Sequence, residues 1–485
     1  MHVDNKKTND SKFGFWVSTI GFVVLLLAGT AVLTAASVRN AMKDSDALSE
    51  SGEAESGIIL SVAEFPSLVI RVVKEISGAA RNPLLVERAK AEKPHWVRKF
   101  PAREDDGFLL FSGVDPDVKH SAVKLIRISD GKVMALWAPD WDAIYSKLTE
   151  KKWERTGRSN RGIAYHPVLL DNGDIIFNIR TGMVRASLCD RKPVWVIDKV
   201  IHHSNELALD GKSIWSPSIA EGYFSANPLL NERLRDDSLA RISFDGEVLE
   251  NISVSKILIE NGLQGLLLGT GGHQFQEDPI HLNHISVASA DSKYWKRGDL
   301  LLTARTPSAV FLYRPSTGKI VWHRTGPWMN QHSARFVDDH RISILDNNVV
   351  SGAPKSQPFA LPGQVNRLLV YDFETDEITE PYAKLLEQAR PVTWTQGLAR
   401  ILPDGGLFVE ETNFGRHLRF TKDKLLWSRV NDYDKNNIGI VARSRYLSPQ
   451  QVEKPLAAIA ARQCDANRGG IKPMVKGSPK TAPSA

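Results

Sequence analysis

A repeat constrains this chain more than any other feature. One unit recurs six times: an apolar strand, a turn of Asp, Gly or Lys character, and a second strand that often ends in Trp. The copies are AVKLIRISDGKVMALW ending at Trp137, ASLCDRKPVWVI around Trp195, LARISFDGEVLENI, VFLYRPSTGKIVW ending at Trp322, LLVYDFETDEITEP, and HLRFTKDKLLW ending at Trp427. Alternating apolar residues around a turn that tolerates positive φ read as a β-hairpin. A second hairpin is interleaved in five copies: YHPVLLDNGDIIFNI, HHSNELALDGKSIWSPS, HLNHISVASADSKYWKRGDLLLTAR, QHSARFVDDHRISILDN and TQGLARILPDGGLFVEETN. Together they make four antiparallel strands per repeat. The predicted fold is therefore all-β, a six-bladed β-propeller over residues 107–447. The Trp and aliphatic residues that close the outer strands should pack between blades. Ala220–Asp237 and Ile257–Asp278 do not fit the repeat and are expected as loops on one face.

The chain of 485 residues is of ordinary globular composition, with 62 Lys+Arg against 56 Asp+Glu and a net charge of +6. No Lys/Arg block forms a nucleic-acid footprint, so no nucleic-acid partner is expected. Cys189 and Cys464 are the only two cysteines, which excludes a disulfide scaffold and a Cys-based zinc cluster. One bridge between them suits an oxidising compartment, and the sequence leaves it open.

Residues 13–38 carry no charge, with Lys6, Lys7 and Lys12 before them and Arg39 and Lys43 after. The run is long enough for a transmembrane helix, with residues 1–12 cytoplasmic and the propeller exported to the periplasmic or extracellular side. A cleaved signal peptide is the rival, since Ala35-Ala36-Ser37 suits a peptidase. Residues 39–106 form a polar spacer and a membrane-proximal segment. Within it, the charges in Ile58–Ile76 argue against a second crossing. Residues 448–485 read as one short helix and a disordered tail.

The second hairpin carries histidine with unusual regularity. His166, His203, His281 and His332 open four of its five copies, and Gln396 opens the fifth, in a chain with 13 histidines. Equivalent positions on innermost strands converge on the central channel, so these rings should face one cavity. Arg305 ends the strand LLLTAR, one strand beyond His281 and Asn283. A guanidinium fork, an amide and several imidazoles suit a tetrahedral oxyanion. Neutral imidazoles also transfer protons or attack as nucleophiles. A structural role for the histidines, hydrogen-bonding neighbouring blades, is one alternative. A zinc or copper site is another, but no carboxylate stands at fixed spacing beside them.

These segments resemble the bacterial arylsulfotransferase family, six-bladed propellers that work without a nucleotide sulfate donor. The resemblance spans roughly residues 108–446. It rests on HHSNELALDG, on HLNHIS followed by LLLTAR and VFLYRPSTGKIVW, and on QHSARFVDDHRISILDN. It implies that His332 is the nucleophile, taking a sulfuryl group from an aryl sulfate as a sulfohistidine and passing it to a phenol. By the same likeness His281, Asn283 and Arg305 bind sulfuryl oxygens and His203 moves protons on the aryl oxygen. His166 and Gln396 are expected to line the substrate site. The doublet His202-His203 leaves one residue of ambiguity. His203 is preferred because the residue after it aligns with the one after His332. No metal or cofactor is required. Ser204 and Ser333 depart from the family pattern, where Asp commonly follows the histidine, and His284 stands where a small residue is common. A non-catalytic propeller that binds a sulfated ligand or a partner protein, and a metal-dependent ester hydrolase, are the competing readings.

Overall fold

The structure is a computed structural model that describes residues 84–87, 97–98, 105–149, 162–269, 276–350, 359–360 and 364–462. The chain divides into two compact units, Met1–Asn82 and Pro83–Ala485, and every described residue lies in the second. The expected anchor, residues 13–38, lies outside the described residues. So do the Ile58–Ile76 segment and the tail beyond residue 462. Among the described residues no helix is long and apolar enough to cross a membrane.

Six antiparallel sheets form a six-bladed propeller. The second blade, from the axis outward, is Tyr165–Leu169, Ile175–Asn178, Met183–Ala186 and Pro193–Ile197. The third to fifth follow the same order, with inner strands Glu206–Leu207, Leu282–Val287 and His332–Phe336. The sixth has inner strand Leu398–Ile401 and gains a fifth, outermost strand from Val97–Arg98. All six predicted outer hairpins and all five predicted inner hairpins are present as paired strands.

The first blade is built differently. Its inner strand, Arg445–Leu447, comes from the far end of the chain and pairs with Phe108–Asp115, Arg445 opposite Leu110 and Leu447 opposite Phe108. The missing sixth inner copy is therefore not adjacent to its blade in sequence. Hydrogen bonds between chain ends close the ring, which leaves the propeller no open sheet edge at that seam.

The pleat sends alternate residues of each strand to opposite blade interfaces. Leu300 and Leu302 pack with Trp215 and Leu239 of the third blade, while Leu301 packs with Ile342 and Ile344 of the fifth. Six such clusters occur, one at each interface, and Leu109, Phe111, Phe408 and Trp427 fill the seam between sixth and first. Trp137, Trp195, Trp322 and Trp427 all join these clusters, and the Trp137 indole N–H donates to Gly173 O at 3.2 Å.

The two segments expected as loops contain short helices. Pro228–Arg233 is capped by the Asn227 side chain. Val254–Glu260 is capped by Ser253 and followed by Gln264–Leu268. The sequence reading missed them because each spans two turns or fewer, too short for a 3.6-residue period to register. Packing supplies what propensity does not: Val254, Ile257 and Leu258 are buried against the interface of the third and fourth blades. Pro449–Ala461, with a capping box at Ser448 and Gln451, follows the closing strand.

Phe311 is fully buried at the interface of the third and fourth blades. Phe311→Ala should lower the free energy of unfolding by about 3–5 kcal/mol, read from denaturant melts.

Candidate active site

Each inner strand is entered through one residue in the left-handed region of backbone space. They are His166, His203, His281, Ser333, Gln396 and Arg443, with φ of 46°, 60°, 51°, 53°, 63° and 59°. Such angles are rare for residues with a Cβ and accumulate at functional sites. Bulges accompany them in three blades, between Tyr165 and Val168, Leu282 and His284, and His332 and Arg335. A bulge re-aims a side chain, here toward the axis.

Three of the predicted histidines meet. The His203 ring lies 5.1 Å from His281 and 6.1 Å from His332 between centroids. His202 stands behind His203, its Nδ1 2.8 Å from His203 Nδ1. His332 is not at the backbone place its histidine partners occupy. The left-handed residue of its blade is Ser333, so by backbone His332 corresponds to His202. Counted from the paired strand residues Glu206 and Arg335, however, His203 and His332 each stand three residues earlier, so Ser204 aligned with Ser333 keeps the strand register while the left-handed turn falls one residue later in the fifth blade.

Each of the three rings is held through Nδ1. His332 Nδ1 is 2.7 Å from Asn347 Oδ1. The Asn347 Nδ2 group donates to Thr393 O at 3.1 Å and Gln396 O at 3.0 Å, which fixes the amide so that its oxygen faces the ring. His332 Nδ1 must therefore carry the hydrogen, and Nε2 the lone pair. His281 Nδ1 lies 2.6 Å from Asp278 Oδ2. Burial alone would raise the Asp278 carboxyl, but His281, Arg235 and His202 overcome it and hold the group below the usual carboxylate range. An ionised Asp278 assigns the Nδ1 hydrogen to His281. His202 Nε2 is 3.3 Å from Asp237 Oδ1. That carboxylate favours the His202 hydrogen on Nε2; in that tautomer His202 Nδ1 accepts from His203 Nδ1, and His203 Nε2 carries the lone pair.

His332 and His203 are kept neutral. Burial pushes His332 well below its ordinary value, and the charges of Arg443 and Arg305 add to this against the Asn347 hydrogen bond. Burial likewise depresses His203, with His202, His281 and Arg443 contributing. Arg305, whose backbone N–H donates to His281 O at 3.2 Å, has its guanidinium lowered by burial against the pull of Asp278.

The remaining predicted residues are placed differently. Asn283 is fully buried; its Nδ2 donates to Gln331 O at 2.7 Å, and its oxygen accepts from Thr303 Oγ1. His166 lies apart from the three rings: its Nδ1 accepts from Asn205 N at 2.9 Å, and its nearest ring is His284 at 6.3 Å. Gln396 is 5% exposed and contributes its carbonyl to Asn347. Ser204 Oγ accepts from Ile285 N at 3.2 Å and Ser333 Oγ donates to Ala399 O at 3.2 Å, so both departures from Asp tie blades together.

Sequence reading missed Asn347, Asp278, Asp237 and Arg443. Arg443 is fully buried, donates through Nη1 to Asn283 O at 2.9 Å, and is lowered by burial to about 9. One signal was available for it: six outer hairpins and five inner ones demand a sixth inner strand, and VARSRYL is the next apolar run. Among the described residues one group of three has metal-ligating atoms within reach of one another, Asp338, Asp339 and His340, on the turn between the first two strands of the fifth blade.

A family model described as arylsulfotransferase (ASST) matches residues 166–432. No curated protein matches the chain. Similar solved structures include a protein of unknown function from Bacteroides caccae, at 12% identity over 71% of this chain and 99% of that one, TM-score 0.42. TolB from Acinetobacter baumannii is similar at 11% identity over 71% and 67%, TM-score 0.39. A catalytically inactive virginiamycin B lyase from Staphylococcus aureus is similar at 12% identity over 68% and 85%, TM-score 0.34.

His166, His202, His203, His284 and His332 are all depressed from 6.5, chiefly by burial. Below pH 6.5 the unfolded chain binds protons there that the folded chain does not. Stability should therefore fall as pH drops below about 6.5 and recover as it rises through that value, by about 1.4 kcal/mol per pH unit for each such histidine. Denaturant melts between pH 5 and 8 check the sign.

Proposed function

This chain belongs to the arylsulfotransferase family, and from that premise we propose that it carries a sulfuryl group from an aryl sulfate to a phenolic acceptor through a sulfohistidine at His332. The observation that carries the reading is the Asn347 contact, which leaves the His332 Nε2 lone pair free of a proton. In the first half-reaction Nε2 attacks sulfur, the bond from sulfur to the aryl oxygen breaks, and its electron pair leaves with the phenolate. In the second, the acceptor oxygen attacks sulfur and the bond to Nε2 breaks, returning the lone pair. His203 Nε2 takes the acceptor's phenolic proton, and the departed phenolate is where that proton ends. The sum is one sulfuryl group moved one way and one proton the other.

Sulfuryl transfer, like phosphoryl transfer, spreads negative charge over equatorial oxygens, so positioning and preorganised cations supply most of the rate. Arg305 and Arg443, the two cations that depress His332, are suited to that charge. Aryl donors suit a site of neutral imidazoles, because the ring delocalises the leaving charge without a strong acid.

Export with residues 13–38 as a membrane anchor belongs to the same proposal. Supporting it are the uncharged run itself and Cys189, which is disulfide-bonded; the other cysteine, Cys464, lies outside the described residues. Disulfides persist in oxidising compartments.

Turnover of a chromogenic aryl sulfate with a phenolic acceptor tests the reading. His332→Ala should lose about a thousandfold or more, and Arg305→Gln on the order of a hundredfold. Acceptor-dependent release no greater than that of His332→Ala, over a range of phenols, would refute it.

A further inference from the structure

One layer further along the inner strands from the three histidines stands a second ring of charged side chains. Glu206, His284, Arg335, Arg400 and Arg445 come from the inner strands of five different blades. Glu206 is the carboxylate they share. Arg335 Nη2 lies 2.7 Å from its Oε1, Arg445 Nη1 3.4 Å from its Oε2, and His284 Nε2 3.7 Å from its Oε1.

One carboxylate does not answer this ring. Three guanidiniums face a single negative charge, leaving an excess of two positive charges. The Arg400 side chain makes no hydrogen bond or ion pair among the described residues, and Arg335 Nε is buried without a partner. His284 is fully buried, and neither of its ring nitrogens has a hydrogen-bond partner. His166 Nε2 is likewise buried and unpartnered, 3.8 Å from Glu206 Oε1. Unanswered buried donors and charges are expensive, and a propeller axis could have been filled with apolar side chains at no such cost. The crowding shows in Arg400, lowered to about 10 by burial and by the charges of Arg335 and Arg445 against Glu206. Arg335, Arg445 and Glu206 keep 12–16% of their side-chain surface exposed, so water reaches the ring.

We infer that this ring is a second anion site, separate from the sulfuryl centre, that binds a divalent tetrahedral oxyanion such as inorganic sulfate or phosphate. Charge and geometry both fit. Two surplus positive charges match a dianion, and guanidinium forks with imidazole donors match its oxygens. The inference does not depend on the sulfuryl-transfer reading. His332→Ala, which removes turnover under that reading, leaves this binding intact.

Calorimetric titration of the full-length His332→Ala protein with sodium sulfate and, separately, sodium phosphate, at constant ionic strength, tests it. At least one of the two ions should bind, and Arg400→Gln in the same background should weaken that binding at least tenfold. Arg400→Lys keeps the charge and should retain most of it. Should Arg400→Gln fail to fold, Arg335→Gln removes another donor of the ring and should give the same loss. No binding of either ion, or an affinity in the folded glutamine variant within twofold of its parent, overturns the inference.

Discussion

The architecture of the axis depends on a backbone conformation that L-residues avoid. At the head of every inner strand one residue is held at positive φ, in five blades by a side chain larger than serine. Each such residue costs about 1–2 kcal/mol. The strand pairs on either side hold it there. Tyr165 is paired with Asn178 before the turn and Val168 with Ile176 after it. The return on that strain is placement: side chains from stretches about 240 residues apart, from His203 to Arg443, reach one narrow space.

Placement alone would not make the rings useful. An imidazole whose proton sits on the wrong nitrogen cannot attack, and a protonated one has no lone pair. The same solution recurs with three different partners. Asn347 holds His332 by Nδ1, Asp278 holds His281 by Nδ1, and His202 with Asp237 behind it holds His203 by Nδ1. Burial and the nearby arginines then keep His332 and His203 uncharged. The partners, not the histidines, decide which nitrogen faces the channel.

The fold was largely legible in the chain because its signal is local and repeated. A hairpin is written in a dozen residues, and six outer copies count the blades. The ring closure was legible only as a missing sixth inner strand, since Arg445–Leu447 belongs to a blade whose other strands begin at Phe108. Of the site, the histidines announced themselves by regular placement, but their register did not. The left-handed residue is His203 itself in the third blade but Ser333, one place after His332, in the fifth, and spacing does not record backbone angles. Asn347 was invisible for a similar reason. It sits in the run LDNNVV, one of three polar residues together, and only the path of the Thr393 and Gln396 carbonyls singles it out.

A bond between His332 Nε2 and sulfur can be detected directly, without relying on turnover. The protein is mixed with an aryl sulfate in the absence of acceptor, quenched in base, digested and mapped by mass spectrometry. A sulfuryl adduct is expected on the peptide carrying His332, discharged when a phenol is added before the quench. An adduct on another residue, or none although the aryl product is released stoichiometrically, would contradict it.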